Sequence, residues 1–338
     1  LTMNTEQELR QSLSKRIMII DGAMGTMIQK HKLTEEDYRG KRFAQYEHPL
    51  KGNNDLLSLT QPDLIKDIHV QFLESGADII ETNTFNANEF SMADYHMEDL
   101  VGEINTAAVK LARQAVDEVM AKDSSKKRYV AGAIGPTNKT GSLSPDVNSP
   151  GYRAVSFDDL HRIYREQTLA LIESGVDIIL VETVFDTLNC KAALYAINEI
   201  REEQGVDVPV MVSGTITDNS GRTLSGQTAE AFWISISHAN LLSVGLNCAL
   251  GAEQMAPFIK EIHQVADVFV SCYPNAGLPN EFGEYDHSPE HMAGILEDWC
   301  KDGWINLVGG CCGTTPEHIS KIAEVAAKYE PRKRIEVQ

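Results

Sequence analysis

Several features of other protein classes are missing from this sequence of 338 residues. Lys and Arg number 30 against 49 Asp and Glu, a formal net charge of −19, which disfavours binding to nucleic acid or to anionic membranes. No apolar run approaches the roughly 20 residues that span a bilayer, and residues 1–16 lack the apolar stretch of a secretory signal. We therefore expect a globular protein with neither nucleic acid nor a membrane as its partner.

Cysteine is also sparse, with six residues in a chain that shows no secretory signal. This combination predicts a reducing compartment, and we expect a cytoplasmic protein. In such a compartment a cluster of cysteines is more often metal-binding or catalytic than disulfide-bonded.

Short apolar runs rich in Val and Ile alternate with longer helix-like segments along the chain. Each run is almost continuously apolar, as in a parallel strand that is covered on both faces. Pro62 opens a helix that Gly76 ends, and Gly175 ends another helix over 157–174. Eight strand–helix units predict an α/β protein of a single domain, a (β/α)8 or TIM barrel. The apolar runs cover residues 17–20, 78–80, 129–134, 177–181, 208–213, 243–246, 268–272 and 305–308.

The barrel is predicted over residues 17–330, after a helical extension over 1–16 and before a polar linker or cut end over 331–338. The alternative is a doubly wound open sheet. Its dinucleotide-binding form needs a Gly-x-Gly-x-x-Gly turn after the first strand, and the sequence DGAMGT at 21–26 does not provide one. The long connection 27–60 lies at the predicted mouth, where such loops usually shape a site.

Three of the six cysteines fall at the carboxyl ends of predicted strands, where barrel enzymes place their chemistry. Cys248 follows the sixth strand, and Cys311 and Cys312 follow the eighth, so the thiols can converge around the seventh. Three thiolates favour Zn²⁺, and a zinc with only three protein ligands keeps a position open for a thiol substrate. No His-Glu-x-x-His motif occurs, and this disfavours hydrolytic zinc.

A packing role stays open for the cysteines, because buried free Cys is common as a small apolar residue. Taken alone, Cys248 fits a core position better than a ligand, and Gly-Gly-Cys-Cys-Gly is evenly balanced between the two. Cys190 and Cys300 stand in helical segments, and we interpret both of them, and Cys272, as packing residues.

Acidic residues end three of the predicted strands: Asp21, Glu81 and Glu182. One such acid is often a helix cap or a loop contact. Three around one rim are better explained by a site for a cationic group, such as the ammonium of an amino acid. The hydroxyl-rich segment 215–228 begins at the same mouth, and we favour a substrate loop there over a solvated turn.

Nine sequence strings, spread over nearly the whole chain, are specific enough to point to a family. Together they resemble the homocysteine-binding, N-terminal module of cobalamin-dependent methionine synthases. The strings are DGAMGTMIQ at 21–29, LKGNNDLLSLTQPD at 50–63, ETNTFNAN at 81–88, GPTNKT at 135–140, ETVFDTLN at 182–189, SGRTLSGQT at 220–228, GLNCALG at 245–251, YPNAGLPN at 273–280 and VGGCCGTTP at 308–316.

The resemblance implies a zinc-dependent homocysteine S-methyltransferase. Zinc would hold homocysteine as a thiolate, which accepts a methyl group from methylcobalamin to form methionine. The cobalamin- and folate-binding domains would belong to the same larger enzyme, following residue 338, or to separate subunits.

The resemblance also implies roles for individual residues. Zinc is expected on Cys248, Cys311 and Cys312, with Asn275 as a weak oxygen ligand that the substrate thiolate displaces. The substrate ammonium is expected at Asp21 and Glu182, and backbone amides near Gly22 and Ala23 would take its carboxylate.

Two alternatives remain at this stage. Homocysteine methyltransferases that use betaine or S-methylmethionine share the cysteine pattern, although LKGNND and YPNAGLPN resemble the cobalamin-dependent type more closely. A non-catalytic, zinc-stabilised interaction module is the other alternative, and it would need a closed four-ligand site without affinity for a thiol.

Overall fold

A computed structural model describes residues 2–335 and contains eight strands, each followed by at least one helix. Their order in the sheet is β1-β8-β7-β6-β5-β4-β3-β2, and each neighbouring pair is parallel. A bridge between Ile20 and Ile79 joins the two outer strands. The predicted (β/α)8 barrel is therefore confirmed. The strands are β1 (Met18–Ile19), β2 (Ile79–Glu81), β3 (Tyr129–Ile134), β4 (Ile178–Val184), β5 (Val210–Gly214), β6 (Ser243–Gly251), β7 (Phe269–Asn275) and β8 (Leu307–Val308).

The helices begin and end where local signals place them. Pro62 is the first residue of its helix, and Gly76 and Gly175, just after two helices, both have positive φ. The helices are α1 (Thr5–Lys15), α2 (Met24–Gln29), α3 (Glu35–Arg39), α4 (Leu57–Thr60), α5 (Pro62–Glu74), α6 (Glu89–Ala93), α7 (Val101–Lys122), α8 (Phe157–Glu173), α9 (Thr187–Gln204), α10 (Ala229–Ile236), α11 (Ala252–Val265), α12 (Pro289–Lys301) and α13 (Pro316–Ala326), with 3-10 turns at Asn54–Leu56, Glu98–Leu100 and Ser237–Ala239.

Helix α1 covers the amino-terminal end of the barrel. Leu9 and Leu13 are fully buried and pack with inward-facing strand residues such as Met18. Burying one such side chain stabilises the fold by roughly 1.5–3 kcal/mol. The opposite, carboxyl-terminal end of the barrel is therefore the one left for a site.

Strands β4, β6 and β7 run past their predicted ends at 181, 246 and 272. Pairing continues beyond a register shift between Val181 and Val184 in β4, and beyond another between Asn247 and Gly251 in β6. These bulges depend on hydrogen bonds between distant residues, which an apolar pattern does not encode. As a result, Glu182 and Cys248 lie inside bulged strand ends.

The first residues after position 330 pack against the barrel. Arg332 is 3% exposed, and its guanidinium donates to the carbonyls of Ala266 at 2.6 Å and Val268 at 3.0 Å. The predicted linker over 331–338 includes 336–338, and the predicted extension over 1–16 includes Leu1; these four residues lie outside the described part. Between residues 2 and 335, no helix has both the length and the hydropathy needed to cross a membrane.

Candidate active site

Cys311 and Cys312 follow β8 in a loop that is hydrogen-bonded to the end of β7. The Cys311 N–H donates to the carbonyl of Pro274 at 2.8 Å, and the Ala276 N–H donates to the carbonyl of Cys312 at 2.9 Å. The side chain of Asn275 adds a third bond, because its Oδ1 accepts from the Cys312 N–H at 3.1 Å. Both cysteines are thus fixed at the mouth of the barrel.

Two glycines give this loop the room it needs. A Cβ on Gly310 would lie 2.4 Å from Cγ2 of Thr314, so no larger residue fits there. Gly313 has a φ of +81°, and a Cβ there would lie 2.3 Å from the Cβ of Tyr285. The loop of the Cys-Cys pair therefore needs close backbone approach at Gly310 and positive φ at Gly313.

Cys248 reaches the same mouth from β6 through the bulge. Both Cys248 and Ala249 have a φ of +59°. A residue with a side chain adopts such a backbone at a cost of order 1–3 kcal/mol, and keeps it only where its surroundings enforce it. In this conformation the Sγ of Cys248 lies 3.7 Å from the Sγ of Cys312.

The three thiols form one cluster. All three Sγ atoms lie within 4.8 Å of one another. Hydrogen bonds from Cys248 and Cys311 hold the pKa of Cys312 well below its usual range. Hydrogen bonding to both neighbours raises the pKa of Cys311 instead. The cluster therefore favours one thiolate that accepts hydrogen bonds from two thiols.

The other three cysteines lie in the core, in agreement with their interpretation as packing residues. Cys190 in α9 and Cys300 in α12 are 2% exposed, and Cys272 in β7 is fully buried. Burial raises the pKa of the Cys190 and Cys300 thiols to about 12, which makes them poor ligands or nucleophiles.

Asp21, Glu81 and Glu182 form an acidic cluster at the same end of the barrel. Asp21 Oδ2 accepts from the Glu81 N–H at 3.1 Å. Asp21 and Glu182 are almost fully buried, and burial together with the charge of Glu81 raises the pKa of each well above its usual range. Asp21 Oδ1 is buried without a hydrogen-bond partner among the described residues. Such a cluster would be completed by a cation.

The buried side chain of Asn247 in β6 links that strand to β4, which carries Glu182. Its Oδ1 accepts from the Thr183 N–H at 3.0 Å and from the Ser213 hydroxyl at 2.7 Å. Its Nδ2 donates to the Thr183 hydroxyl at 2.8 Å and lies 3.9 Å from the Sγ of Cys311. Thr183 has a φ of +56°, so these bonds hold the strained residue next to Glu182 in place.

Comparison with known proteins places this chain in a family. The family model described as homocysteine S-methyltransferase matches residues 18–326, which is most of the chain. The chain belongs to the homocysteine S-methyltransferase family. Membership makes it a methyltransferase and confirms the resemblance drawn from the sequence strings at the level of the homocysteine-binding domain.

Solved structures support the fold of this methyltransferase. The metallated form of the homocysteine methyltransferase MmuM from Escherichia coli matches with a TM-score of 0.75 and 20% identity, covering 95% of this chain and 99% of that one. The oxidised form of the same enzyme matches with a TM-score of 0.73 and 20% identity, covering 91% and 95%. At this identity the likeness shows a shared barrel and no more.

Gly22 and Ala23 of the methyltransferase lie beside the cysteine loop. The Ala23 N–H donates to the Thr314 hydroxyl at 3.2 Å, and that hydroxyl donates to the carbonyl of Cys311 at 2.6 Å. Gly22 packs so closely that a Cβ would lie 2.7 Å from the ring of Phe72. The structure therefore brings the two residues predicted to hold the substrate carboxylate next to the backbone of the cysteine loop.

The long connection 27–60 does help to form a cavity, of about 310 Å³, at the ends of β2 and β3. Residues 52–55 line one side of the cavity and residues 136–138 line another. Asp55 is buried there, accepts from the Asn86 N–H at 2.8 Å, and has its pKa raised by burial to about 7. The segment 215–228 contacts the site as well, because the Thr215 hydroxyl donates to the carbonyl of Asn247.

Sequence reasoning missed Asn247 and a second group made of Glu253, His287 and His291. Asn247 directly precedes Cys248, but a polar residue at a strand end does not reveal which strands it joins. His287 and His291 stand four residues apart, a common spacing for metal ligands that could have been noticed. Glu253 comes from a different connection, so only the fold reveals it.

Proposed function

We propose that this methyltransferase activates homocysteine on a zinc ion held by Cys248, Cys311 and Cys312. The sulfur spacing carries the proposal. Two sulfurs bound to a tetrahedral zinc at about 2.3 Å are roughly 3.8 Å apart, and the Sγ atoms of Cys248 and Cys312 are 3.7 Å apart. All three cysteines would bind zinc as thiolates, because coordination displaces the thiol proton.

Zinc, when bound, would lower the pKa of a coordinated thiol and so keep the homocysteine sulfur ionised at neutral pH. Asn275 would be the weak oxygen ligand, and the support for this role is that its Oδ1 accepts from the Cys312 N–H at 3.1 Å, which keeps the side chain at the cysteine loop. A neutral amide oxygen is a poor ligand for a borderline-soft ion, and a thiolate would displace it.

The acidic cluster would bind the ammonium of homocysteine. Burial and, after it, repulsion from the neighbouring carboxyls raise the pKa values of Asp21 and Glu182, and a bound cation would offset both effects. The substrate carboxylate would take the backbone N–H groups of Gly22 and Ala23, with the Thr314 hydroxyl giving up its bond from Ala23. The substrate is short, so it would bridge the acidic cluster and the thiol cluster.

In the reaction the homocysteine sulfur loses its thiol proton and forms a bond to the methyl carbon. The bond between that carbon and the donor breaks, and its electron pair leaves with the donor. We propose methylcobalamin as this donor, on the support of the LKGNND and YPNAGLPN strings. Cobalamin- and folate-binding domains, in the same longer protein or in separate subunits, would present and recharge it.

The test combines metal, substrate and donor. Zinc-loaded protein is titrated with homocysteine, and X-ray absorption at the zinc edge counts the sulfur neighbours before and after saturation. We expect one more sulfur with homocysteine present. An unchanged count would mean that zinc does not activate the thiol.

The donor is tested by assaying methionine formation with methylcobalamin, S-methylmethionine and betaine in parallel. We expect methionine to form with methylcobalamin and not with S-methylmethionine or betaine. Turnover with S-methylmethionine or betaine would replace the proposed donor and leave the zinc chemistry intact. If the protein does not bind homocysteine, the alternative of a non-catalytic, zinc-stabilised interaction module would be favoured.

A further inference from the structure

A second group of metal-ligand side chains lies apart from the thiols, where α11 and α12 begin. Glu253 stands in the first turn of α11, His287 precedes α12, and His291 lies in its first turn. One ligand atom from each of the three lies within 4.8 Å of the others. Nothing in the proposed reaction uses this group, so its presence needs its own explanation.

The spacing within the group suits a small divalent cation. Nitrogen and oxygen ligands of a tetrahedral zinc at about 2.0–2.1 Å are roughly 3.3–3.4 Å apart. His291 Nε2 and Glu253 Oε1 are 3.3 Å apart. The rings of His287 and His291 have centroids 4.3 Å apart at 70°, so they meet edge to face and do not stack. A cation could bind all three residues with small side-chain rotations.

The backbone of His287 is fixed from both sides, which reduces the entropy lost on binding. Its N–H donates to the carbonyl of Ala276 at 3.0 Å, and its carbonyl accepts from His318 Nε2 at 2.7 Å. The ring lies against Gly277, where a Cβ would come within 2.7 Å of it. His287 Nδ1 is buried and has no hydrogen-bond partner within the described part of the chain.

His291 is held in a similar way. Its N–H donates to the hydroxyl of Ser288, the N-cap of α12, at 3.1 Å.

We infer that Glu253, His287 and His291 form a second divalent-metal site at the barrel mouth, for a borderline cation such as Zn²⁺. Imidazole and carboxylate are ligands that zinc accepts, and three of them leave a position for water. Both helices present their amino-terminal dipole ends to the site, and the side chains of Glu253 and His291 are about half exposed. This site is therefore weaker than the thiol site and fills after it.

Metal here would tie together the two connections that carry the proposed chemistry. Ala276 links the sites directly, because its N–H donates to Cys312 and its carbonyl accepts from His287. Glu253, in the first turn of α11, lies five positions after Cys248, which stands in β6. A bound cation would thus restrict the motion of the segments on which Cys248 and Asn275 stand.

The experiment is a zinc titration of reduced, metal-free protein against a chromophoric chelator that competes for the metal. The wild type is expected to bind two zinc ions, one tightly and one weakly. His291→Ala and Glu253→Gln should lose only the weakly bound ion. Both side chains are about half exposed, so neither substitution should impair folding. His238→Ala, which removes an exposed histidine elsewhere, should still bind two. Cys311→Ala should lose the tight ion and keep the weak one, so failure of the thiol site is separable.

Histidine ring signals in NMR identify the ligands during the same titration. The second equivalent of zinc should shift the signals of His287 and His291 and leave that of His238 in place. One zinc per chain in the wild type, or two in His291→Ala, would overturn the inference. Equal shifts at His238 would do so as well, because they would indicate non-specific binding to exposed histidines.

Discussion

Replacing Asn247 by Ala tests whether one buried amide sets the geometry of both clusters. The change removes the acceptor of the Thr183 N–H, the donor to the Thr183 hydroxyl, and the acceptor of the Ser213 hydroxyl. Two groups of Thr183 therefore lose their partner, at about 1–3 kcal/mol each.

We expect Asn247→Ala to lower the free energy of unfolding by about 2–6 kcal/mol, a large part of the 5–15 kcal/mol typical of a folded protein. The strained φ of Thr183 would relax without its bonds, and Glu182 would move with it. Homocysteine affinity should therefore fall at least tenfold. When Glu182→Gln is already present, adding Asn247→Ala should reduce homocysteine affinity by a smaller factor, because Asn247 acts on the substrate through Glu182.

Asn306 offers a matched control at the other end of the barrel. It is also fully buried, accepts from the Val270 N–H at 3.0 Å and donates to the carbonyl of Arg332 at 2.9 Å. Asn306→Ala should lose comparable stability in equilibrium denaturation and keep its homocysteine affinity in calorimetry. If Asn247→Ala loses no more affinity than Asn306→Ala does, Asn247 is merely structural and the linkage argued here is wrong.

Three further predictions concern the metal, the substrate and a buried acid. Cys311→Ala should lose the tight zinc on metal analysis after dialysis, while Cys190→Ala keeps it; retention in both would remove Cys311 from the site. Glu182→Gln should weaken homocysteine roughly tenfold to a hundredfold with zinc still bound, because a charge-assisted hydrogen bond contributes about 1.5–3 kcal/mol, and unchanged affinity would make Glu182 structural. Asp55 has its pKa raised from 3.8 to about 7, so stability is lost as pH rises through that window. Asp55→Asn should therefore gain up to about 4 kcal/mol in denaturation at pH 8 and nothing at pH 4; an equal gain at both would refute the assignment.

The fold was largely predictable because its signals are local. An apolar run with a glycine stop before it, as at Gly175, predicts both the end of α8 and the start of β4. Strand β3 matches its prediction over 129–134. The convergence of Cys248 with the Cys-Cys pair also follows from strand order, since parallel strands of a barrel end at one face.

The bulges could not be predicted, because their causes are distant in sequence. Asn247 holds Thr183 from 64 positions away, and the resulting backbone lets Glu182 and Cys248 sit inside strands instead of after them. No periodicity in either segment signals a positive φ at Thr183 or Cys248. The same holds for Glu253, whose partners His287 and His291 belong to the next connection along the chain.

The two ends of the barrel differ in whether their buried carboxylates are paired with cationic side chains. At the amino-terminal end Asp78 is fully buried and pairs with Arg16 at 2.8 Å and with Lys126 at 3.1 Å. At the carboxyl-terminal end Asp21 is almost as deeply buried, yet the neighbouring charge that acts on it is that of another acid, Glu81, and its Oδ1 has no partner among residues 2–335. A buried carboxyl without a cation weakens the fold, whereas a paired one is satisfied within it. The strained φ values of Thr183 and Cys248 fall at this same end. Strain and unpaired acid at one face are best explained by a ligand that supplies the positive charge there, which is the role proposed for the ammonium of homocysteine.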